Sequence, residues 1–228
     1  MATKYSKITL TEQMGYRLIN SKFPPIAIFD DVANADEFEL LYQLQELTNP
    51  RLSDQVGNVS LLDKSEYPFG IHGCSYAVAP FTHINPAGSR FMSGERGMLY
   101  IADSIKAAIA ESIYHQENYF KKVNLHYDRI VMRGLLCVFG GEMADITHLA
   151  NTDPIYDPND YTQARTFAAP LKQTVSGIQY NSVRRQGSMC WGLFTPKYVK
   201  SIKQNRHYEF IFEQNKMAQV NQLTQVDF

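Results

Sequence analysis

The chain has little of what ready-made functional templates require. Its 228 residues contain no G-x-G-x-x-G, no G-x-x-x-x-G-K-[ST], no H-E-x-x-H and no G-x-S-x-G. The common nucleotide-loop, metalloprotease and hydrolase-elbow readings are therefore without support. Cysteine is scarce: Cys74, Cys137 and Cys190 form no C-x-x-C pair, which disfavours a zinc site and fits buried free thiols in a reducing compartment. Six histidines are scattered, and "HGC" at 72–74 is too local to build a tetrahedral site, so no metal is expected. An excess of either charge is also missing. With 22 basic against 23 acidic residues the formal net charge is −1, and no overall field draws nucleic acid or an anionic membrane. The opening "MATKYSKITLTEQMGYRLIN" lacks the parts of a secretion signal, and nowhere do about 18 apolar residues run together. A cytoplasmic protein without membrane or direct nucleic acid contacts is expected.

What is present is 44% hydrophobic residues over a length that suits one domain. "PPIAIFDD" at 24–31 reads as a short strand, and "NADEFELLYQLQEL" as a helix capped by Asn34, with Phe38, Leu41, Leu44 and Leu47 at helical spacing. The proline-punctuated stretch 48–97 reads as loop carrying short strands and functional groups. "GMLYIA" is a strand, and Asp103 or Ser104 caps a helix that runs to about Phe120. "RIVMRGLLCVF", "SGIQYNSV", "SMCWGLFT" and "HYEFIF" are strand-like, the last placing Tyr208, Phe210 and Phe212 on one face, and a short helix is expected near Tyr161 to Ala169. Helices early and strands late give an α+β class, a single domain with mixed or antiparallel sheets. The end, 214–228, is Gln-rich and is expected to be a weakly packed polar tail.

The chemistry-bearing stretch is "RFMSGERGMLYIADSIKAAIAE" at 90–111. Arg90 and Arg96 flank Gly94 and Gly97, and an arginine fork on a glycine-adapted loop suits phosphate or carboxylate. Tyr100 offers a ring face to a planar or cationic group. On the helix, Ile105, Ala108, Ile109, Ser112 and Ile113 share an arc with Glu111 at its edge, and the small Ala107 and Ala108 beside it are expected to leave room for another molecule. Arginine for a pyrophosphate, an aromatic for a base and a glutamate near a ribose are the groups needed to break a nicotinamide N-glycosidic bond, which passes through an oxocarbenium-like state.

These residues fall into the blocks "YRLINSKFPPI" with Arg17, "APFTHINPAGSRFMSGERGMLYIADSIKAAIAE" with Arg90, Tyr100 and Glu111, and "GIQYNSVRRQGSMCWGLF" with Tyr180 and Ser182. In these blocks, from about residue 16 to 198, the sequence resembles the RES-domain proteins, many of them toxins of bacterial toxin–antitoxin pairs. The resemblance implies an RES domain over 1–213 with an N-terminal extension, and a compact α+β fold similar to ADP-ribosyltransferase toxins. It implies an NAD-degrading toxin, a glycohydrolase or phosphorylase with NAD as substrate, no metal, and inorganic phosphate admitted as co-substrate. Its partner would be an Xre-type helix-turn-helix antitoxin, and it would form a homodimer. Carried over by position, Arg17 and Arg90 contact phosphates, Tyr100 packs on nicotinamide or its ribose, Glu111 serves the ribose, and Ser182 hydrogen-bonds that ribose or a phosphate. Tyr100, Glu111 and Ser182 form the catalytic set, with His83 and Arg184 as second-tier candidates. Protein ADP-ribosylation and a catalytically silent partner-binding module are the alternative functions.

Overall fold

The computed structural model describes residues 4–23, 30, 32, 34–48 and 57–224. The first element among the described residues is strand β1 (Ser6–Asn20), so the expected order of early helices and late strands does not hold. Its alternating signal lasts only through Ile8 and Leu10. A register shift between Leu10 and Gln13 then changes the phase, as a bulge does. Ile8 and Leu10 consequently pack on one core, while Tyr16 and Leu18 pack on the other. The reading of 24–31 as a strand lies, apart from residue 30, outside the described residues.

Helix α1 (Ala35–Thr48) starts where expected, with Asn34 Oδ1 accepting from the amides of Asp36 and Glu37, both at 3.0 Å. Phe38 is buried, Leu41 half-buried and Leu44 exposed. The stretch 57–97 holds no strand. Its regular element is helix α2 (Cys74–Thr82), whose Cys74, Ala77, Val78 and Phe81 are all buried. A helix apolar on nearly every face has no amphipathic period, and Pro80 inside it also reads as a loop signal.

Strand β2 (Leu99–Ala102), helix α3 (Ile105–Lys122), strand β3 (Tyr127–Asp145), short helix α4 (Thr162–Ala168), and strands β4 (Gly177–Asn181), β5 (Met189–Leu193), β6 (Val199–Glu213) and β7 (Lys216–Leu223) complete the chain. Ser104 caps α3 through the amide of Ala107 at 3.3 Å. The sheet order is β1-β2-β5-β4-β3-β6-β7, with β1 also paired to β3. The pairings β1, β2, β5, β4, β3 and back to β1 therefore close into a ring, in which only β3 and β4 run parallel. Strand β3 makes this closure because it is long: one edge meets β6 from Tyr127 to Phe139 and then β4 from Met143 to Asp145.

Alternating residues of the ring feed two cores. From β5, Cys190 and the following Phe194 enter the first, Trp191 and Leu193 the second; from β2, Ala102 enters the first, Leu99 and Ile101 the second. Trp191 is 1% exposed, sits edge-on to Phe139 and donates Nε1–H to Gln179 at 2.8 Å. The first core carries α3 and α4, the second α1 and α2. All three cysteines are buried and free, and burial pushes each thiol up to about 12.

The presumed tail does not trail: residues 216–223 pair with β6 as edge strand β7 after a turn through Gln214 and Asn215, both at positive φ. Its Gln219 and Gln222 are exposed and Asn221 is half-buried against Glu209, while its backbone is bonded, which composition alone does not reveal. The result is a single compact α+β domain around a mixed seven-stranded sheet. Among the described residues, no helix is long and apolar enough to cross a membrane.

Candidate functional site

Arg17, Tyr100, Glu111 and Ser182 sit on β1, β2, α3 and the end of β4, elements that the ring closure brings together. Arg17 Nη1 donates to the Tyr100 carbonyl at 3.0 Å. The half-buried guanidinium is held somewhat below its ordinary range by burial, which raises the energy of any uncompensated positive charge there. The Tyr100 hydroxyl donates to Ser89 Oγ at 2.8 Å and accepts from the Phe91 amide at 3.1 Å. Burial is the main reason that hydroxyl is pushed up to about 12, so it stays protonated and its ring is fixed in place. Opposite Tyr100 lies Gly192, where a Cβ would come within 2.5 Å of Met98 and 3.3 Å of the Tyr100 ring.

Arg90 is 7% exposed. Its Nη1 donates to the carbonyls of Ile155 at 3.2 Å and Asp157 at 2.9 Å, and its guanidinium lies over the Tyr161 ring at 4.5 Å. Phe91, the next residue, meets the Tyr180 ring edge-on at 4.9 Å. The Tyr180 hydroxyl is pushed well above its ordinary range by burial and by Cys190 and Glu111 nearby.

The Glu111 carboxylate accepts from Ser182 Oγ at 2.7 Å. Ser182 is 8% exposed, and its Oγ also accepts the amides of Arg184 at 3.2 Å and Arg185 at 3.1 Å. The hydroxyl is thus fully used: its hydrogen goes to Glu111 and its lone pairs tie the turn after β4. Ala107 and Ala108 are buried in the first core, so these small residues bring α3 close to the sheet and do not open space beside Glu111.

Arg96 is not part of this assembly. Its Nη2 meets Glu66 Oε1 at 2.7 Å and Oε2 at 3.0 Å, an ion pair on the loop side of the molecule. The glycines around it serve close backbone approach: a Cβ at Gly94 would stand 2.0 Å from the Pro86 carbonyl oxygen, and one at Gly97 1.8 Å from that of Pro80. The fork of Arg90 and Arg96 expected from sequence is therefore split. His83 lies at the end of α2, its Nδ1 near the Ala79 carbonyl and Thr82 Oγ1.

Arg184, by contrast, is in the site. It donates to the Pro158 carbonyl and lies over the Tyr114 ring. His115, at the outer surface of α3, is held below its ordinary range by local desolvation and then by the charges of Arg184, Arg90 and Arg17. Tyr114 and His115 lie three and four residues beyond Glu111, on the same helix face. No group of three His, Cys, Asp or Glu side chains among the described residues is placed to hold a metal. What the arrangement offers is one fixed carboxylate, one fixed aromatic ring and three guanidiniums with no carboxylate partner among the described residues.

The model of the RES domain matches residues 67–213, more than half of the chain. That span includes Arg90, Tyr100, Glu111 and Ser182, and leaves Arg17 outside. The uncharacterized protein y4oC of Sinorhizobium fredii (strain NBRC 101917 / NGR234) is 24% identical over 205 residues, which cover 89% of this chain and 84% of that protein.

Proposed function

The chain belongs to the RES domain family, and from that premise we propose that it cleaves the nicotinamide N-glycosidic bond of NAD. Membership fits a protein of the toxin–antitoxin type. The observation that carries the reading is the Ser182–Glu111 hydrogen bond of 2.7 Å, which fixes one carboxylate in a site whose Arg17, Arg90 and Arg184 meet no carboxylate within 4.0 Å among the described residues. In the reaction the bond from ribose C1′ to the pyridinium nitrogen breaks, and its electron pair leaves with nicotinamide. The ribose becomes oxocarbenium-like before an acceptor oxygen adds to C1′ and releases its proton. Glu111 Oε2, free of Ser182, accepts from the ribose hydroxyls and offsets that positive charge. Ser182 positions Glu111. It is not cast as a nucleophile, since its hydrogen is committed to the carboxylate. Arg17 and Arg90 hold the diphosphate, and Tyr100, clamped through its hydroxyl, packs its ring on the nicotinamide side.

On this reading the native inhibitor is an Xre-type antitoxin whose inserted end carries acid or a terminal carboxylate, because burying the guanidiniums unpaired is costly. The test is to incubate the purified chain with NAD, with and without inorganic phosphate. Free nicotinamide with ADP-ribose or its 1-phosphate supports the proposal and identifies the acceptor. Label transferred to protein points to ADP-ribosylation from the same site, and unchanged NAD to a silent binding module.

A further inference from the structure

We propose that Arg184 is a third anion-binding residue of this site, taking a phosphate group of the ligand alongside Arg17 and Arg90. The inference rests on reading the site as a place for a diphosphate ligand, and not on which bond is then broken. Its first support is position. The Arg184 amide donates to Ser182 Oγ at 3.2 Å, so its backbone is tied to the Ser182–Glu111 pair. Its guanidinium carbon lies 3.3 Å from the centre of the Tyr114 ring, one helical turn beyond Glu111.

The second support is an unfilled donor. A guanidinium carries five N–H groups in a planar fork. Arg184 is half-buried; its Nη2 reaches the Pro158 carbonyl and its side chain also bonds Tyr161, but Nε is shut off from water and meets no acceptor among the described residues. A buried charged donor left unpaired is destabilising and rare in folded proteins, so it marks a place where an acceptor belongs. A phosphate brings several anionic oxygens to such a fork.

The third support is convergence. Arg17, Arg90 and Arg184 come from three separate segments, yet all three lower His115. None has a carboxylate within 4.0 Å among the described residues, and the Asp157 carboxyl, held low by the Asp160 and Asn159 amides and only lastly by Arg90, offsets them weakly, so their fields add at one place. A bound dianion would supply what the protein withholds.

The competing role is mechanical. Arg184 and the Tyr114 hydroxyl both donate to the Pro158 carbonyl, and Tyr114 also reaches Asn159 Oδ1 at 3.1 Å, so Arg184 could serve only to brace the 157–161 loop. Calorimetric titration with inorganic pyrophosphate and with ADP-ribose separates the two. Arg184→Gln removes the charge, whereas Tyr114→Phe removes the hydroxyl bonds to the loop and keeps the ring under the guanidinium. Melting curves of both variants confirm folding. The expected result is that Arg184→Gln weakens both ligands about tenfold to a hundredfold while Tyr114→Phe stays within about threefold of the parent. The proposal is overturned if Arg184→Gln binds as the parent does, if Tyr114→Phe loses as much as Arg184→Gln, or if the parent chain ignores both ligands. Arg184-dependent binding of pyrophosphate by a chain that leaves NAD intact upholds this inference and removes the NAD-cleavage reading.

Discussion

Arg90 and Arg96 come from one loop and meet opposite surroundings. Arg96 grips both oxygens of Glu66 at a surface where its side chain is 36% exposed. Arg90 is almost fully buried against two carbonyls and the face of Tyr161. A pair of the first kind is screened by water and contributes about 0–1 kcal/mol. A guanidinium of the second kind is solvated by dipoles alone, so its positive potential is preserved for another charge. The partner, not the residue type, separates a fastening from a binding group.

Substitutions on the two sides therefore have unequal expected effects on NAD cleavage. The largest falls on Glu111, the carboxylate that Ser182 holds on the arginine-rich side. Glu111→Gln keeps the fold and the affinity for NAD, and loses about 10² to 10⁴ in turnover, the range of general base and electrostatic contributions. Turnover within threefold of the parent, measured by nicotinamide release, would strip Glu111 of its role. Ser182→Ala comes next. It leaves Glu111 unheld and deprives two amides of their acceptor, so kcat drops roughly tenfold to a hundredfold and urea unfolding registers a loss of about 1–3 kcal/mol. A stability loss with kcat intact would reduce Ser182 to a turn residue.

Arg90→Lys preserves charge but not the planar fork, and the dissociation constant for ADP-ribose rises about tenfold. Calorimetry that shows no change would take Arg90 out of the phosphate site. The smallest effect belongs to Arg96→Gln: NAD turnover is unchanged and stability falls by at most about 1 kcal/mol. If this variant loses as much activity as Arg90→Lys, the contrast between the two arginines collapses.

The blocks around Tyr100, Glu111 and Ser182 are legible because each lies close to a clear element signal, namely the strand run of β2, the Ser104 cap with the apolar arc of α3, and the strand run before Ser182, whereas Arg17 enters through the family resemblance alone. What failed was inference across space from neighbourhood in sequence. Arg96 looked equivalent to Arg90 because nothing local distinguishes a loop arginine that finds Glu66 from one that finds carbonyls. The alanines before Glu111 looked like room because a helical wheel shows size but not what packs against it. Strand β1 went unread where its bulge breaks the alternation, α2 because burial on most faces erases its period, and β7 because an edge strand can be polar and still be paired. Arg184 stands second-tier in sequence because its unfilled donor exists only in three dimensions.

The closed ring of pairings also sets a clock. Strand β1 finds its partner β3 more than a hundred residues later in the chain, from Asn20 with Met132 to Ser6 with Asp145. At synthesis speeds of about 5–20 residues per second, the segment bearing Arg17 waits roughly 5–20 s after emergence before it can pair. Such late, long-range pairing is slow in refolding as well, because the closure entropy precedes the contacts that compensate it. Ser182 comes later still, just beyond β4. A nascent chain released before that point contains Arg17, Arg90, Tyr100 and Glu111 but lacks the hydroxyl that holds Glu111, so the set comes together only after Ser182 has been made.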